Sequence, residues 1–114
     1  MLGLRADLLE EIDNLDAETT VDAEAMQTVP TSWDWRSKTG IVPIVKNQAS
    51  CGSCYAFAAL DALQSVYHLK KGAAASQTAV INLSEQQIVD CSTGYKNQGC
   101  GGGLMEYVYN YLKV

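Results

Sequence analysis

Two cysteines, Cys51 and Cys54, stand three residues apart in a stretch of small and polar residues that begins at Gln48. The residues that follow Cys54 are rich in alanine and leucine and contain no glycine or proline as far as Leu69, which predicts a long, mostly buried helix. Cys54 would then lie in the first turn, where unpaired amide hydrogens and the helix dipole favour a negative charge. Because the thiolate is the nucleophilic form of cysteine, this placement suits a nucleophile.

The charge of the chain is divided unevenly. The 114 residues have a net charge of −5, but residues 1–28 hold eight acidic residues and one basic residue, whereas residues 29–114 hold five acidic and seven basic residues. We interpret residues 1–28 as an acidic leader, either a flexible tail or the remnant of a removable pro-segment, with helical spacing of apolar residues from Leu4 to Leu15. It does not have the pattern of a secretory signal. No apolar run reaches about 20 residues, and nothing indicates a nucleic-acid or membrane partner.

Several other segments would position the cysteines. Gly72 is expected to end the long helix, and Ser84 with Gln87 three residues later has the pattern of a capping box, which predicts a second short helix. Residues 104–112 have apolar side chains at helical spacing, which predicts a third helix. The large aromatic rings of Trp33 and Trp35 are expected to be buried. Residues 41–45 are β-branched around a proline, which indicates an edge strand or a loop.

Four segments, in this order along the chain, resemble the papain and cathepsin family of cysteine peptidases. They are Val29-Pro30 with Trp33-Asp34-Trp35-Arg36, Gln48 to Phe57 with its C-G-[SA]-C-[WY] pattern, Leu83 to Cys91, and Gly99-Cys100-Gly101-Gly102-Gly103. The resemblance implies an α+β papain-like fold. Residues 29–114 would form its mainly α left lobe, with a long central active-site helix, as an incomplete domain without the β-rich right lobe.

The resemblance also implies a role for individual residues. Cys54 resembles the catalytic nucleophile, and Gln48 resembles the donor that stabilises the oxyanion together with the Cys54 amide. Cys51 resembles the partner of Cys100 in a disulfide. Substrate-binding residues are implied at Gly102, Gly103, Leu104 and Met105, the first two for an extended peptide and the last two for an apolar side chain. The chain departs from the family pattern at Tyr55 (commonly Trp), Gly101 (usually Asn) and Cys91, whose usual partner has no counterpart in this sequence.

The chemistry of this family also needs a histidine and an asparagine, which lie about 130–150 residues beyond the cysteine. Only 60 residues (114 − 54) follow Cys54, and the single histidine, His68, is 14 residues along the same predicted helix. That spacing corresponds to about 21 Å, so we interpret His68 as a partly exposed helix residue outside the reaction. The sequence therefore predicts a papain-like cysteine peptidase present as a left lobe that is inactive by itself.

Other classes of protein compete with this interpretation. The chain could be a non-catalytic papain-like fragment or binding module, or, more remotely, a thiol–disulfide redox protein that uses Cys51 and Cys54; for the latter, only residues 41–45 offer a strand. The spacing of Cys91 and Cys100 does not fit a zinc knuckle. The peptidase chemistry that the resemblance implies needs neither a metal nor an organic cofactor. The expected partners are a peptide or protein substrate and, if separate, a right-lobe chain. The resemblance implies a lysosomal or extracellular location.

Overall fold

The computed structural model describes residues 29–113, so the predicted acidic leader and its helix lie outside the described residues. The described part contains three α-helices, α1 (Cys54–Lys71), α2 (Glu85–Cys91) and α3 (Met105–Leu112). Short 3-10 turns lie at Trp35–Ser37, Gln77–Ala79, Ser92–Tyr95 and Gly99–Gly101. No β-strand forms within residues 29–113. The mainly α architecture predicted for this part of the chain is confirmed.

Helix α1 begins and ends where the sequence predicts. It starts at Cys54, and Gly72 is its C-cap with a φ of +105°, a conformation that favours glycine. The Gly72 amide donates to the carbonyl oxygen of His68 at 3.0 Å. The expectation of a mostly buried helix is correct for one face only. Along the other face, apolar side chains remain exposed, including Val66, Tyr67 and Leu69.

The capping box at the start of α2 is half realised. Ser84 Oγ accepts a hydrogen bond from the Gln87 amide at 3.2 Å, as the pattern predicts. The Gln87 side chain, however, donates to the Tyr111 hydroxyl of α3 at 3.0 Å. The second helix is therefore confirmed, and one of its capping residues also holds α2 against α3. The third predicted helix is confirmed as α3, with Leu104 as its N-cap.

The hydrophobic core lies where the three helices meet. Its buried members are Tyr55, Ala56, Ala59, Leu60, Ile88 and Val108. The two alanines of α1 let α3 approach its backbone closely, and the Tyr109 hydroxyl donates to the Ala59 carbonyl oxygen at 3.3 Å. Burial of each large apolar side chain contributes about 1.5–3 kcal/mol. The N-terminal end of α1 is thus fixed by the core.

The expected burial of Trp33 and Trp35 is wrong. The two side chains are 55% and 46% exposed, and their rings contact each other edge to face with centroids 5.3 Å apart. The ammonium group of Lys38 lies 5.5 Å from the Trp33 ring centroid. The reason is that this segment folds on itself: the Asp34 carboxylate accepts from the Arg36 amide and pairs with the Arg36 guanidinium. That pairing holds the pKa of Asp34 at about 2.

The expected partial exposure of His68 is also wrong, since the residue is only 6% exposed. Its Nε2 accepts a hydrogen bond from the Ile81 amide at 3.0 Å, and its Nδ1 lies 3.3 Å from the Gly72 carbonyl oxygen. Because Nε2 accepts from the Ile81 amide, Nδ1 is the ring nitrogen that can donate to the Gly72 carbonyl oxygen. One turn earlier, Gln64 Oε1 accepts from the Leu83 amide at 2.7 Å. Both side chains therefore hold the connection that leads into α2.

Residues 41–45 form an irregular connection, the loop alternative of the prediction. Ile41 is buried, whereas Val45 is 99% exposed. The segment ends beside α1 and leads into the turn that carries Gln48. Among the described helices, none combines the length and the apolar character that a membrane crossing requires.

Candidate active site

The chain turns sharply between Gln48 and Cys51, just before α1. The Cys51 amide donates to the Gln48 carbonyl oxygen at 3.3 Å, and Gln48 Nε2 donates to the Cys51 carbonyl oxygen at 2.8 Å. Ala49 has a φ of +53°, and its amide donates to Asn47 Oδ1 at 2.8 Å. The Gln48 carboxamide is thus folded over the turn. It lines, together with Cys51 and Ser53, a cleft of about 300 Å³.

Cys54 is the first residue of α1, and its thiol is free and half-buried. The hydrogen bonds of the helix begin with the Ser53 carbonyl oxygen, which accepts from the Ala56 amide at 2.9 Å. Helix geometry leaves the first amides without an acceptor inside the helix. The first turn of α1 contains no acidic side chain to oppose a thiolate. The arrangement can therefore favour the negative charge of a nucleophilic sulfur.

A disulfide joins Cys51 to Cys100, which lies 49 residues further along the chain. The Gly52 amide also donates to the Cys100 carbonyl oxygen at 3.1 Å. These two links hold the turn before α1 against the Gly99–Gly101 turn. The pairing is the one that the family resemblance implies, and it leaves Cys54 and Cys91 as the free cysteines of the described residues. A redox role that uses Cys51 with Cys54 would require this disulfide to be broken.

Tyr55 makes a third link between the same two turns. Its hydroxyl donates to the Gly99 carbonyl oxygen at 3.0 Å. Burial raises the pKa of Tyr55, and the neighbouring Cys54 raises it further. The phenol therefore keeps its proton and remains a donor over a wider pH range than a free tyrosine.

The glycine pair implied as a substrate-binding strip follows this turn. Gly102 has a φ of +122°, and its carbonyl oxygen accepts from the Gln98 amide at 2.8 Å. A Cβ on Gly103 would lie 2.2 Å from Asn97 Oδ1, so any side chain there would have to displace Asn97. Of the two residues implied as a pocket, Leu104 is 1% exposed and Met105 is 42% exposed. The Leu104 side chain thus belongs to the interior, whereas Met105 faces outwards.

Two polar groups near the site were missed by sequence reasoning. Lys46 Nζ pairs with Glu85 at the start of α2 and with Asp61 of α1, the latter at 3.1 Å. Partial burial opposes the charge of Lys46, but its hydrogen bonds to Glu85 and Asp61 outweigh that effect, and the pKa of Lys46 is raised. The second group is a buried pair, Asn97 and Ser92, behind the glycine strip. Nothing local in the sequence distinguishes these residues from solvated ones.

The described residues do not offer a metal site. Across residues 29–113, no three or more His, Cys, Asp or Glu side chains converge in a way that could hold an ion. The site as described therefore consists of a free, half-buried cysteine at the start of α1, the Gln48 carboxamide folded over the turn before it, and a buried glycine pair behind the disulfide.

Comparison with known proteins identifies the family of this chain. A family profile described as papain family cysteine protease matches residues 29–114. Procathepsin L of Mus musculus is 49% identical over 88 residues, which cover 77% of this chain and 24% of that protein. Cathepsin L1 of Drosophila melanogaster is 46% identical over 94 residues, which cover 82% of this chain and 24% of that protein.

Among solved structures, the proform of the ragweed pollen allergen Amb a 11, a cysteine protease, superposes with a TM-score of 0.59 at 38% sequence identity. The match covers 80% of this chain and 26% of that one. The fold and the cysteine turn define a papain-like cysteine peptidase lobe. This chain belongs to the papain family, and it spans about a quarter of the length of the relatives that it matches.

Proposed function

We propose that this chain carries the nucleophile-bearing side of a papain-type active site, and that the complete peptidase cleaves peptide bonds through a thioester on Cys54. The observation that supports the proposal best is the free Cys54 thiol at the first position of α1, in a turn that a disulfide ties to the Gly99–Gly101 turn. No cofactor is required. The substrate class is peptides or proteins, as the family membership implies.

The proposed reaction begins when a base takes the proton of the Cys54 thiol and the sulfur attacks the scissile carbonyl carbon to form a carbon–sulfur bond. The carbonyl oxygen becomes an oxyanion, for which the Cys54 amide and the second Nε2 hydrogen of Gln48 are the proposed donors. The intermediate collapses, the carbon–nitrogen bond breaks, and the amine leaves with a proton from a general acid. Water then hydrolyses the thioester and releases the thiol. Gly102, Gly103 and Met105 are the proposed substrate-binding residues, whereas Leu104, at 1% exposure, is proposed to support them from the interior.

The general acid and base must be an imidazole that is not engaged elsewhere. His68 is the one histidine of the 114 residues, and its ring nitrogens face Ile81 and Gly72. We therefore propose that the histidine and asparagine of the reaction come from polypeptide outside these residues, either in the same protein or in a separate right-lobe chain. We also propose a lysosomal or extracellular location, which the family and the disulfide support.

The first experiment measures what the 114-residue chain does alone. We expect slow, ordinary alkylation of Cys54 by iodoacetamide at neutral pH and no cleavage of a fluorogenic peptide with an apolar residue second from the cut. The variant Cys91→Ser removes the other free thiol and serves as the matched control for Cys54→Ser. Peptide hydrolysis by the chain alone that Cys54→Ser abolishes would show that it needs no outside imidazole.

The second experiment supplies the missing groups. Residues 29–114 replace the matching segment of mouse procathepsin L in a chimera, which is activated and assayed with the same peptide. We expect the chimera to cleave the peptide. Its Gln48→Glu variant should cleave the peptide more slowly than the chimera by a factor of about 10²–10³, the range for loss of one oxyanion donor. Cys54→Ser should abolish turnover. A folded chimera without activity would contradict the proposed role of Cys54.

A further inference from the structure

Behind the glycine strip lies a buried line of hydrogen bonds that no feature of the sequence reveals. Asn97 is 2% exposed and Ser92 is fully buried. Asn97 Oδ1 accepts from the Leu104 amide at 3.1 Å, and Asn97 Nδ2 donates to Ser92 Oγ at 3.0 Å. The Ser92 hydroxyl in turn donates to the Ile88 carbonyl oxygen at 2.6 Å. The line therefore connects the last turn of α2 to the residue that follows the strip.

The direction of every bond in this line is determined. The Ile88 carbonyl can only accept, so the Ser92 hydroxyl must donate to it and is left to accept from Asn97. That requirement turns Asn97 Oδ1 towards the Leu104 amide. The opposite orientation of the carboxamide would set its NH₂ against the Leu104 N–H, which is also a donor. Ser92 therefore orients Asn97 as well as contacting it.

Asn97 also touches the strip itself. A Cβ on Gly103 would lie 2.2 Å from Asn97 Oδ1 and 3.0 Å from Cδ2 of the Tyr55 ring. Tyr55 directly follows Cys54 on α1. The Asn97 carboxamide and the Tyr55 ring thus form the surface against which Gly103 rests. The backbone of the next residue, Gln98, holds the Gly102 carbonyl oxygen at 2.8 Å.

We propose that Asn97, oriented by Ser92, is a positioning residue that fixes the height of the Gly102–Gly103 strip relative to the Cys54 sulfur. Two consecutive glycines have wide conformational freedom, and a strip that binds a peptide through its backbone must be held in one conformation. Loss of the Asn97 acceptor releases the Leu104 amide and the strip with it. This inference rests on the proposed function, because it assumes that the strip binds an extended peptide.

The test uses the procathepsin L chimera described above, in which both lobes are present, and two measurements. The first is the hydrogen-exchange rate of the Leu104 amide without ligand, read by NMR. The second compares the rate at which iodoacetamide alkylates Cys54 with the rate for a peptidyl chloromethyl ketone, whose chloride the sulfur displaces. For the peptidyl reagent, the concentration that gives the half-maximal rate is determined. The variants are Asn97→Ala and Ser92→Ala. Asn82→Ala, at an exposed asparagine, is the control.

Asn97→Ala and Ser92→Ala should each speed exchange at Leu104 and raise the half-maximal concentration of the peptidyl reagent by about tenfold, the effect of one lost hydrogen bond. The iodoacetamide rate should not change, which separates positioning from general loosening. Asn82→Ala should match the wild type. Ser92→Ala removes a single oxygen and serves where Asn97→Ala does not fold.

Unchanged exchange and unchanged half-maximal concentration in Ser92→Ala and Asn97→Ala would overturn the inference. So would an equal change in the rates of both reagents. If the wild type does not distinguish the peptidyl reagent from iodoacetamide, the proposed function fails. Exchange at Leu104 then decides by itself whether Asn97 holds the strip.

Discussion

At the scale of single residues, Gly103 and Gly94 differ in what surrounds them. A Cβ on Gly103 would meet Asn97 Oδ1 at 2.2 Å and the Tyr55 ring at 3.0 Å, whereas a Cβ on Gly94 would meet no atom within 4 Å. Neither glycine has a positive φ. The cost of a methyl group at these positions is therefore a matter of space rather than of backbone strain.

The first prediction follows from that contrast. Gly103→Ala should lower the free energy of unfolding by about 1–3 kcal/mol, because the methyl group displaces Asn97 or Tyr55 from a filled interior. Gly94→Ala should be neutral or slightly stabilising, since alanine reduces the freedom of the unfolded chain. Urea unfolding followed by circular dichroism measures both variants. Equal stability of the two would show that the space behind Gly103 is not filled as described.

The second prediction concerns Gln64, which is fully buried. Its Oε1 accepts from the Leu83 amide at 2.7 Å, and its Nε2 donates to Asp61 Oδ1 at 3.0 Å. Gln64→Leu should cost about 1–3 kcal/mol in the free energy of unfolding, because a buried amide loses its acceptor. The matched control is Gln86→Leu, at an exposed glutamine of α2, with an expected change within about 0.5 kcal/mol. The same urea titration checks both, and a harmless Gln64→Leu would contradict the buried bond.

At the scale of elements, Lys46 connects three parts of the fold. It lies on the irregular segment before the active-site turn, and its ammonium group contacts Asp61 of α1 and Glu85 of α2. The side chains of Lys46, Asp61 and Glu85 are 15%, 34% and 14% exposed. Two carboxylates thus converge on one cation. Removal of that cation would leave them facing each other.

The third prediction is the pH dependence that this ion group produces. The pKa of Lys46 is raised above its ordinary 10.5, so its contribution is complete below that pH and is lost as pH rises through the higher folded-state pKa. Lys46→Gln should lower the free energy of unfolding by about 1–2 kcal/mol at neutral pH, after allowance for the exposure of Asp61. It should also remove part of the loss of stability that the wild type shows at alkaline pH. Thermal unfolding between neutral and strongly alkaline pH measures this.

Two controls isolate Lys46. Tyr55→Phe removes a second group whose pKa is raised, from an ordinary value of 10.0. Its contribution is likewise lost on the alkaline side, and the Lys46 effect should remain in this variant. Lys70→Gln changes an exposed lysine at the end of α1 and should leave the alkaline profile as it is. An alkaline profile of Lys46→Gln that coincides with the wild type would refute the assignment.

Helix boundaries could be predicted from the sequence because their causes are local. Gly72 ends α1 through its own backbone conformation, and Ser84 caps α2 through a residue three positions away. The environment of His68 could not be predicted, since it depends on Ile81, 13 residues further along the chain. Likewise, Cys54 and Gln48 belong to a contiguous pattern, whereas Asn97 acquires its contacts only when the strip folds over it.

At the scale of the whole molecule, much apolar surface is exposed. The exposed large apolar side chains of residues 33–69 are Trp33, Trp35, Ile44, Val45, Val66, Tyr67 and Leu69. Residues 42–45 also line, with Phe57 and Ala62 of α1, an open groove of about 410 Å³. Contiguous apolar patches beyond a few hundred Å² are uncommon on soluble monomers. The physical consequence concerns how the chain behaves alone in solution.

The last prediction is that the 114-residue chain self-associates or remains loosely packed when it is purified alone. Val45, on the loop that leads to Gln48, is 99% exposed, and Leu69, on the outer face of α1, is 46% exposed. Both side chains therefore place apolar groups in water. We expect molar mass by light scattering to rise with concentration, and dye binding typical of exposed apolar surface.

The double variant Val45→Lys with Leu69→Lys should shift the chain towards the monomer without loss of helicity, because neither side chain is in the core. The matched control Ala59→Lys, in the buried core, should unfold it instead. A wild-type chain that is monomeric at every concentration and melts in one sharp cooperative transition would show that this surface is stable in water by itself.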